Sequence, residues 1–177
     1  MALGIITNSG RTLTARLLLG DPIEGLTHCA VGDGDLDFID PKHPPAPAIN
    51  QIGLRHELAR KRYYKRTFLK EDADGVLLVN GVRYLETTEQ TQTIGVFFRF
   101  EEHEANGITI KEYGFFGGTV AYVAGHQNTY ATDGTFHADS NPMGQVLDPG
   151  YLYELKHIPD FNKTADTRLE LVGVIKV

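Results

Sequence analysis

The sequence predicts an α+β fold, mostly antiparallel β-sheet, with an N-terminal helix and one further helix. Three observations carry that prediction. Nineteen Gly lie scattered between short runs rich in aromatic and β-branched residues, with 8 Tyr and 9 Phe but no Trp, as a chain of many turns and strands requires. Asn80-Gly81 between two apolar runs is a strong two-residue hairpin signature. Only two segments space their apolar residues as a helix does. At about 100–200 residues per domain, 177 residues make one domain, 1–177.

Taken in order, the first helix starts at Thr7 or Asn8, either of which can cap it. Leu13 and Leu17 share a face, and Gly20-Asp21-Pro22 stops it. Residues 26–31 read as a strand that ends in the turn Gly32-Asp33-Gly34. Residues 35–47 are acidic, then proline-rich, and predict an extended surface loop. The second helix is expected over about residues 48–58, with Ile49, Ile52 and Leu58 as its apolar stripe. Residues 76–79 and 82–85 form the hairpin around Asn80-Gly81. In residues 91–101 the apolar Ile94, Val96, Phe98 and Phe100 alternate along one face. Asn106-Gly107 turns the chain into Ile108-Thr109-Ile110. Further strands are expected at 119–124, 151–158 and 169–177, with a long polar insertion at about 126–150 that packs on a neighbouring chain.

Charge and composition exclude several function classes. With 17 Lys+Arg against 23 Asp+Glu the net charge is −6, which argues against a generally basic nucleic-acid binder. The single cysteine, Cys29, excludes a cystine framework and a cysteine-rich zinc site. No apolar run approaches the roughly 20 residues of a membrane helix, and the start lacks a signal peptide's pattern, so a cytoplasmically synthesised protein without membrane insertion is expected.

Catalytic and metal-binding patterns are weak. Asp33, Asp35 and Asp37 imitate the start of a calcium loop, but Phe38 and Pro44 stand where Gly and Glu are needed. His126, Asp133, His137 and Asp139 could gather round a metal but have no specifying spacing. Neither Ser9 nor Ser140 sits in a nucleophile elbow. His28 and Cys29 are neighbours on a strand and point to opposite faces. No catalytic residue, cofactor or metal is therefore assigned. One charge feature stands out: residues 55–66 hold Arg55, Arg60, Lys61, Arg62, Lys65 and Arg66 against one Glu, a local +5 that leaves −11 on the rest. Such an edge suits docking on acidic surfaces, while Tyr63 and Tyr64 make single-stranded nucleic acid a disfavoured alternative.

Several segments together resemble a known family. Residues 4–19, opening Gly4-Ile5-Ile6-Thr7-Asn8-Ser9-Gly10-Arg11, precede Leu26-Thr27-His28-Cys29-Ala30-Val31-Gly32-Asp33-Gly34. Asn50-Gln51-Ile52 to Glu57-Leu58 follow, then Ile108-Thr109-Ile110-Lys111-Glu112-Tyr113-Gly114-Phe115-Phe116. Phe161-Asn162-Lys163-Thr164 to Leu169-Glu170-Leu171 close the series. In this order they resemble the N-terminal domain of tail-collar and tail-fibre proteins of contractile-tailed bacteriophages.

The resemblance implies a virion structural component of a phage or phage-derived tail, a fibre or baseplate adaptor joining tail fibre to baseplate. Its expected partners are copies of itself in a trimer, other tail-fibre chains and baseplate wedge proteins. Asn8, His28, Gly32, Asp33, Gly34, Glu112 and Gly114 are then structural or interface residues. The chain stops where the family's head domain stops, and its insertion is longer than the family pattern, which suggests a stand-alone adaptor. Two rivals remain. One is a host-surface glycan-binding module using Tyr130, Phe136, His137 and Tyr151; the other is a polysaccharide-degrading enzyme with carboxylates clustered in a groove.

Overall fold

The computed structural model describes residues 4–34, 38–40, 42–122 and 146–177. Thr7 opens the helix α1 (Asn8–Leu18): its hydroxyl accepts the Gly10 amide at 3.0 Å, satisfying a donor that the first turn leaves unpaired. The same hydroxyl donates to the Leu152 carbonyl, so the cap also fastens the helix to the sheet beneath. Leu13 is buried on that side, and Gly20, at φ +83, follows the last turn.

The strands are β1 (Ile5–Ile6), β2 (Leu26–Gly32), β3 (Glu57–Arg62), β4 (Lys65–Glu71), β5 (Leu77–Val79), β6 (Val82–Thr87), β7 (Thr93–Phe100), β8 (Thr109–Gly117), β9 (Ala121–Tyr122), β10 (Val146–Asp148), β11 (Tyr151–Asn162) and β12 (Leu169–Lys176). The first five-stranded sheet has the order β1-β11-β8-β2-β3, the second β12-β7-β4-β6-β5, and β9 pairs with β10 as a ribbon. The pairings are antiparallel. The chain changes sheet at Tyr63-Tyr64, whose amides reach Thr27 O and Phe97 O, both at 3.0 Å.

The predicted alternation in β7 is real: Val96, Phe98 and Phe100 are buried facing the first sheet. Phe98 stacks on Phe115 of β8 with ring centroids 5.2 Å apart. Gly173 of β12 leaves the space that Phe115 and Leu26 fill. The other face of β7 is also covered. Phe97 joins Leu69 and Tyr84, with Leu77, Val79, Val82, Val172 and Val174 packed around them, so all five strands of the second sheet share a core of their own. On the other face of the first sheet, Ala30, Phe116, Leu152 and Leu155 gather with Leu54. β2 is buried along its whole length, as a central strand covered on both faces must be.

The fold corrects the predicted class. Among the described residues it is mostly antiparallel β, 49% strand and 8% helix, a nearly closed barrel-like sheet plus a second sheet, with a single helix. The second helix expected over residues 48–58 is not formed. Ala48 and Gln51 close a turn (Gln51 N to Ala48 O, 3.1 Å), Ile49 and Ile52 stay exposed, and residues 57–62 pair with β2 as β3. An isolated helix of about ten residues is marginal. Gly53 and a stripe with no surface to bury leave it weaker still, whereas strand pairing places Ala59 and Arg60 in the interior. The hairpin stands where expected, with Asn80 at φ 52 and Gly81 at φ 83. Most of the 126–150 insertion, including His126, Tyr130, Asp133, Phe136, His137 and Asp139, lies outside the described residues, as do Asp35 and Asp37.

Candidate functional site

Gly32, Asp33 and Gly34 end β2 in a turn whose shape depends on missing side chains. Gly34 has φ +74, and a Cβ there would stand 2.4 Å from Cγ of Phe38, whose ring fills the place. Gly32 lies opposite Glu112 of β8, and a Cβ on it would stand 2.2 Å from the His56 carbonyl oxygen. These two gaps let the segments around Phe38 and Arg55-His56 settle over the β2–β8 ladder.

Glu112 is the centre of what settles there. It is 0% exposed, and its Oε1 accepts the His56 amide at 2.9 Å. Its Oε2 lies 3.7 Å from Nε2 of His157 on β11, and neither atom has a hydrogen-bond partner among the described residues. His157 Nδ1 donates to the Pro45 carbonyl at 2.7 Å, a bond that fixes the proton of the neutral ring on Nδ1. Phe38 meets the His157 ring edge-on at 4.6 Å, the Arg55 guanidinium lies 5.8 Å from the Phe38 centroid, and Lys111 Nζ donates to Phe38 O at 3.3 Å. Asp33 and His56 pair at the exposed rim, Oδ1 to Nδ1 2.6 Å. Burial pushes the Glu112 carboxyl above its ordinary range, against the amides of His56 and Arg55 and the Arg55 charge, which pull it down. Burial pushes His157 down, and the Arg55 charge adds to this while the Pro45 bond opposes it.

A second buried polar joint lies on β3. Glu57 and Arg60 form a two-pronged pair, Nε–Oε1 and Nη2–Oε2 both 2.7 Å. Arg60 Nη1 also donates to Pro149 O at 2.9 Å, and its guanidinium covers the Phe116 ring at 4.0 Å. His28 is buried with Nδ1 2.8 Å from Thr27 Oγ1, and desolvation, with Arg60 and Arg62 adding, lowers its pKa to about 3. Cys29 is buried and its thiol pushed up by desolvation, the reverse of what a nucleophile needs.

The residues singled out in the sequence thus fall into groups. Gly32, Asp33, Gly34, Glu112 and Arg55 come together at one place. His28 and Gly114 belong to the same sheet, with Gly114 lying where a Cβ would stand 2.7 Å from Leu152 Cδ1. Asn8 is apart: the cap is Thr7, while Asn8 donates its amide to Ile49 O at 2.9 Å. The basic run is interleaved with carboxylates: besides Glu57–Arg60, Lys61 bonds Glu104, Arg62 pairs with Glu24 at 2.7 Å and Lys65 with Glu86 at 2.7 Å. Arg66 lies over the Tyr63 ring at 4.2 Å. Tyr151 takes a hydrogen bond from Arg16 at 2.7 Å. Sequence reasoning missed Phe38, Pro45, His56 and His157, which meet their partners only across the fold, and also Glu57, whose partner Arg60 lies three positions along the same strand. Among the described residues no group of three or more His, Cys, Asp or Glu could hold a metal ion. No protein-family model matches the chain, and no curated protein matches it.

Proposed function

We propose that this chain is a structural part of a contractile phage or phage-derived tail, an adaptor that assembles with copies of itself and with fibre chains on the baseplate. One observation carries the reading: the segments that prompted the resemblance each act as a joint between elements. Thr7 and Gly10 seat α1 on β11, where a Cβ on Gly10 would stand 2.4 Å from Tyr153 O. Gly32 and Glu112 seat the chain at His56 on β2 and β8. Lys163, 1% exposed, gathers Glu102 O, Asn106 Oδ1 and Thr164 O around its ammonium. Residues spent on joints suit a part that must hold its shape under load. Leu18 and Leu19 at the end of α1 are 85% and 82% exposed, apolar surface of the kind that partner chains cover.

The test is direct. Light scattering of the purified chain, and electron cryomicroscopy of particles from cells expressing its neighbouring reading frames, are expected to show an oligomer and density for the chain in a tail. A chain that stays monomeric and is absent from every particle refutes the proposal.

A further inference from the structure

Glu112 and His157 face each other in the interior with their hydrogen-bonding capacity only partly used. Oε1 is engaged as an acceptor by the His56 amide. The Nδ1 proton of His157 goes to Pro45 O, since a carbonyl can only accept. A neutral imidazole then presents the bare lone pair of Nε2 to Glu112 Oε2, 3.7 Å away, with both groups buried. An ionised carboxylate would set two acceptors face to face without a proton between them, at the cost that buried unpaired polar atoms carry.

We propose that Glu112 is held as a neutral carboxylic acid whose Oε2–H points at the Nε2 lone pair of His157, and that its ionisation loosens the strap of residues 38–40 and 42–47 from the first sheet. The strap depends on this pair because His157 holds it at Pro45 O and at the Phe38 ring. Burial favours the uncharged form of both partners, in agreement with the directions in which each is displaced. The other charges around the pair are Arg55 and His56 from the segment before β3, Asp33 from the β2 turn and Lys111 on β8. Lys156 and Glu154, paired at 3.2 Å, lie on β11, and Asp40 and His43, paired at 2.9 Å, lie on the strap itself. Arg55 favours the carboxylate and Asp33 opposes it, so no single neighbour neutralises Glu112.

The test uses the full chain. Infrared difference spectra across a pH titration are expected to contain a protonated-carboxylic-acid carbonyl band that Glu112→Gln removes. Amide exchange at Lys42, His43, Ala46 and Ala48, normalised to intrinsic rates, is expected to quicken roughly tenfold or more as pH rises through the ionisation of Glu112. Glu112→Gln keeps Oε1 for the His56 amide and offers its NH2 to His157, so its strap is expected to remain protected at every pH. A wild-type strap whose normalised protection is flat with pH overturns the proposal. So does the absence of the carboxylic-acid band in the wild type, a measurement that stands even where the variant fails to fold.

Discussion

Arg60→Met is the sharpest test of how this fold is held together. Arg60 is 0% exposed and Glu57 3%, and the variant removes both prongs of their pair, the bond to Pro149 O and the cation over Phe116. A methionine fills much of the volume, so the dominant loss is the Glu57 carboxylate left buried without its countercharge, worth about 3–5 kcal/mol. Glu57→Leu with Arg60→Met removes both charges. The remaining cost is then chiefly Pro149 O without its donor, about 1–3 kcal/mol. Urea denaturation of wild type, both single variants and the double variant gives the coupling, provided the m-values agree. The double variant is expected to be more stable than Arg60→Met. A single variant that loses less than about 1 kcal/mol, or a double variant that loses the sum of the singles, refutes the argument that burial of an unpaired charge sets the cost.

Two further perturbations follow from local geometry. His28 has a folded pKa of about 3, below its unfolded value near 6.5, so the unfolded chain takes the proton first and stability falls as pH drops below 6.5. At pH 5 this loss is about 2 kcal/mol relative to neutral pH, and thermal melts of His28→Gln are expected to lose that part of the acid dependence; an unchanged profile would show another group responsible. Gly10→Ala places a methyl 2.4 Å from backbone oxygen of Tyr153, so α1 must lift from β11 and stability is expected to fall by about 1–3 kcal/mol. Gly81→Ala, at φ 83 with open space around it, is the control: its cost of about 1–2 kcal/mol is backbone strain alone, and it should leave α1 contacts unchanged by nuclear magnetic resonance.

What was readable in the sequence was whatever a few consecutive residues decide. The hairpin at Asn80-Gly81, the alternation of β7 and the start and stop of α1 are local facts, and they stand. The charges of β3 conceal it: the expected helix over about residues 48–58 takes in its first two residues, and Arg60 reads as a surface charge until it is seen to be neutralised by Glu57 inside the molecule. The alternation of Ile94, Val96, Phe98 and Phe100 marks only one face of β7, whereas both faces are covered: Phe98 packs on Phe115 of the first sheet, and Phe97 packs with Leu69 and Tyr84. At the candidate site, Gly32, Gly34 and Glu112 were legible as unusual residues. Their partners were not, since His157 lies 45 positions along the chain from Glu112 and reaches it only through the β8–β11 register.

The polar joints follow a common physical pattern. Glu57–Arg60, Glu112–His157 and Lys163 each sit where an irregular segment crosses a regular one, and each bonds backbone carbonyls or amides as well as any side-chain partner. Apolar packing alone would hold these crossings together but tolerates sliding, because dispersion contacts are non-directional. A carbonyl aimed at a buried Lys or Arg has one satisfactory position, and leaving it loses a charge-assisted bond in a dry setting. The joints therefore fix where the loops lie more than they raise total stability. Arg60→Met and Glu112→Gln should separate on that point: the first changes unfolding free energy strongly, while the second removes the pH dependence of loop exchange with little change in global stability. Equal effects of both variants on the two measurements would mean that these joints are ordinary contributors to the core.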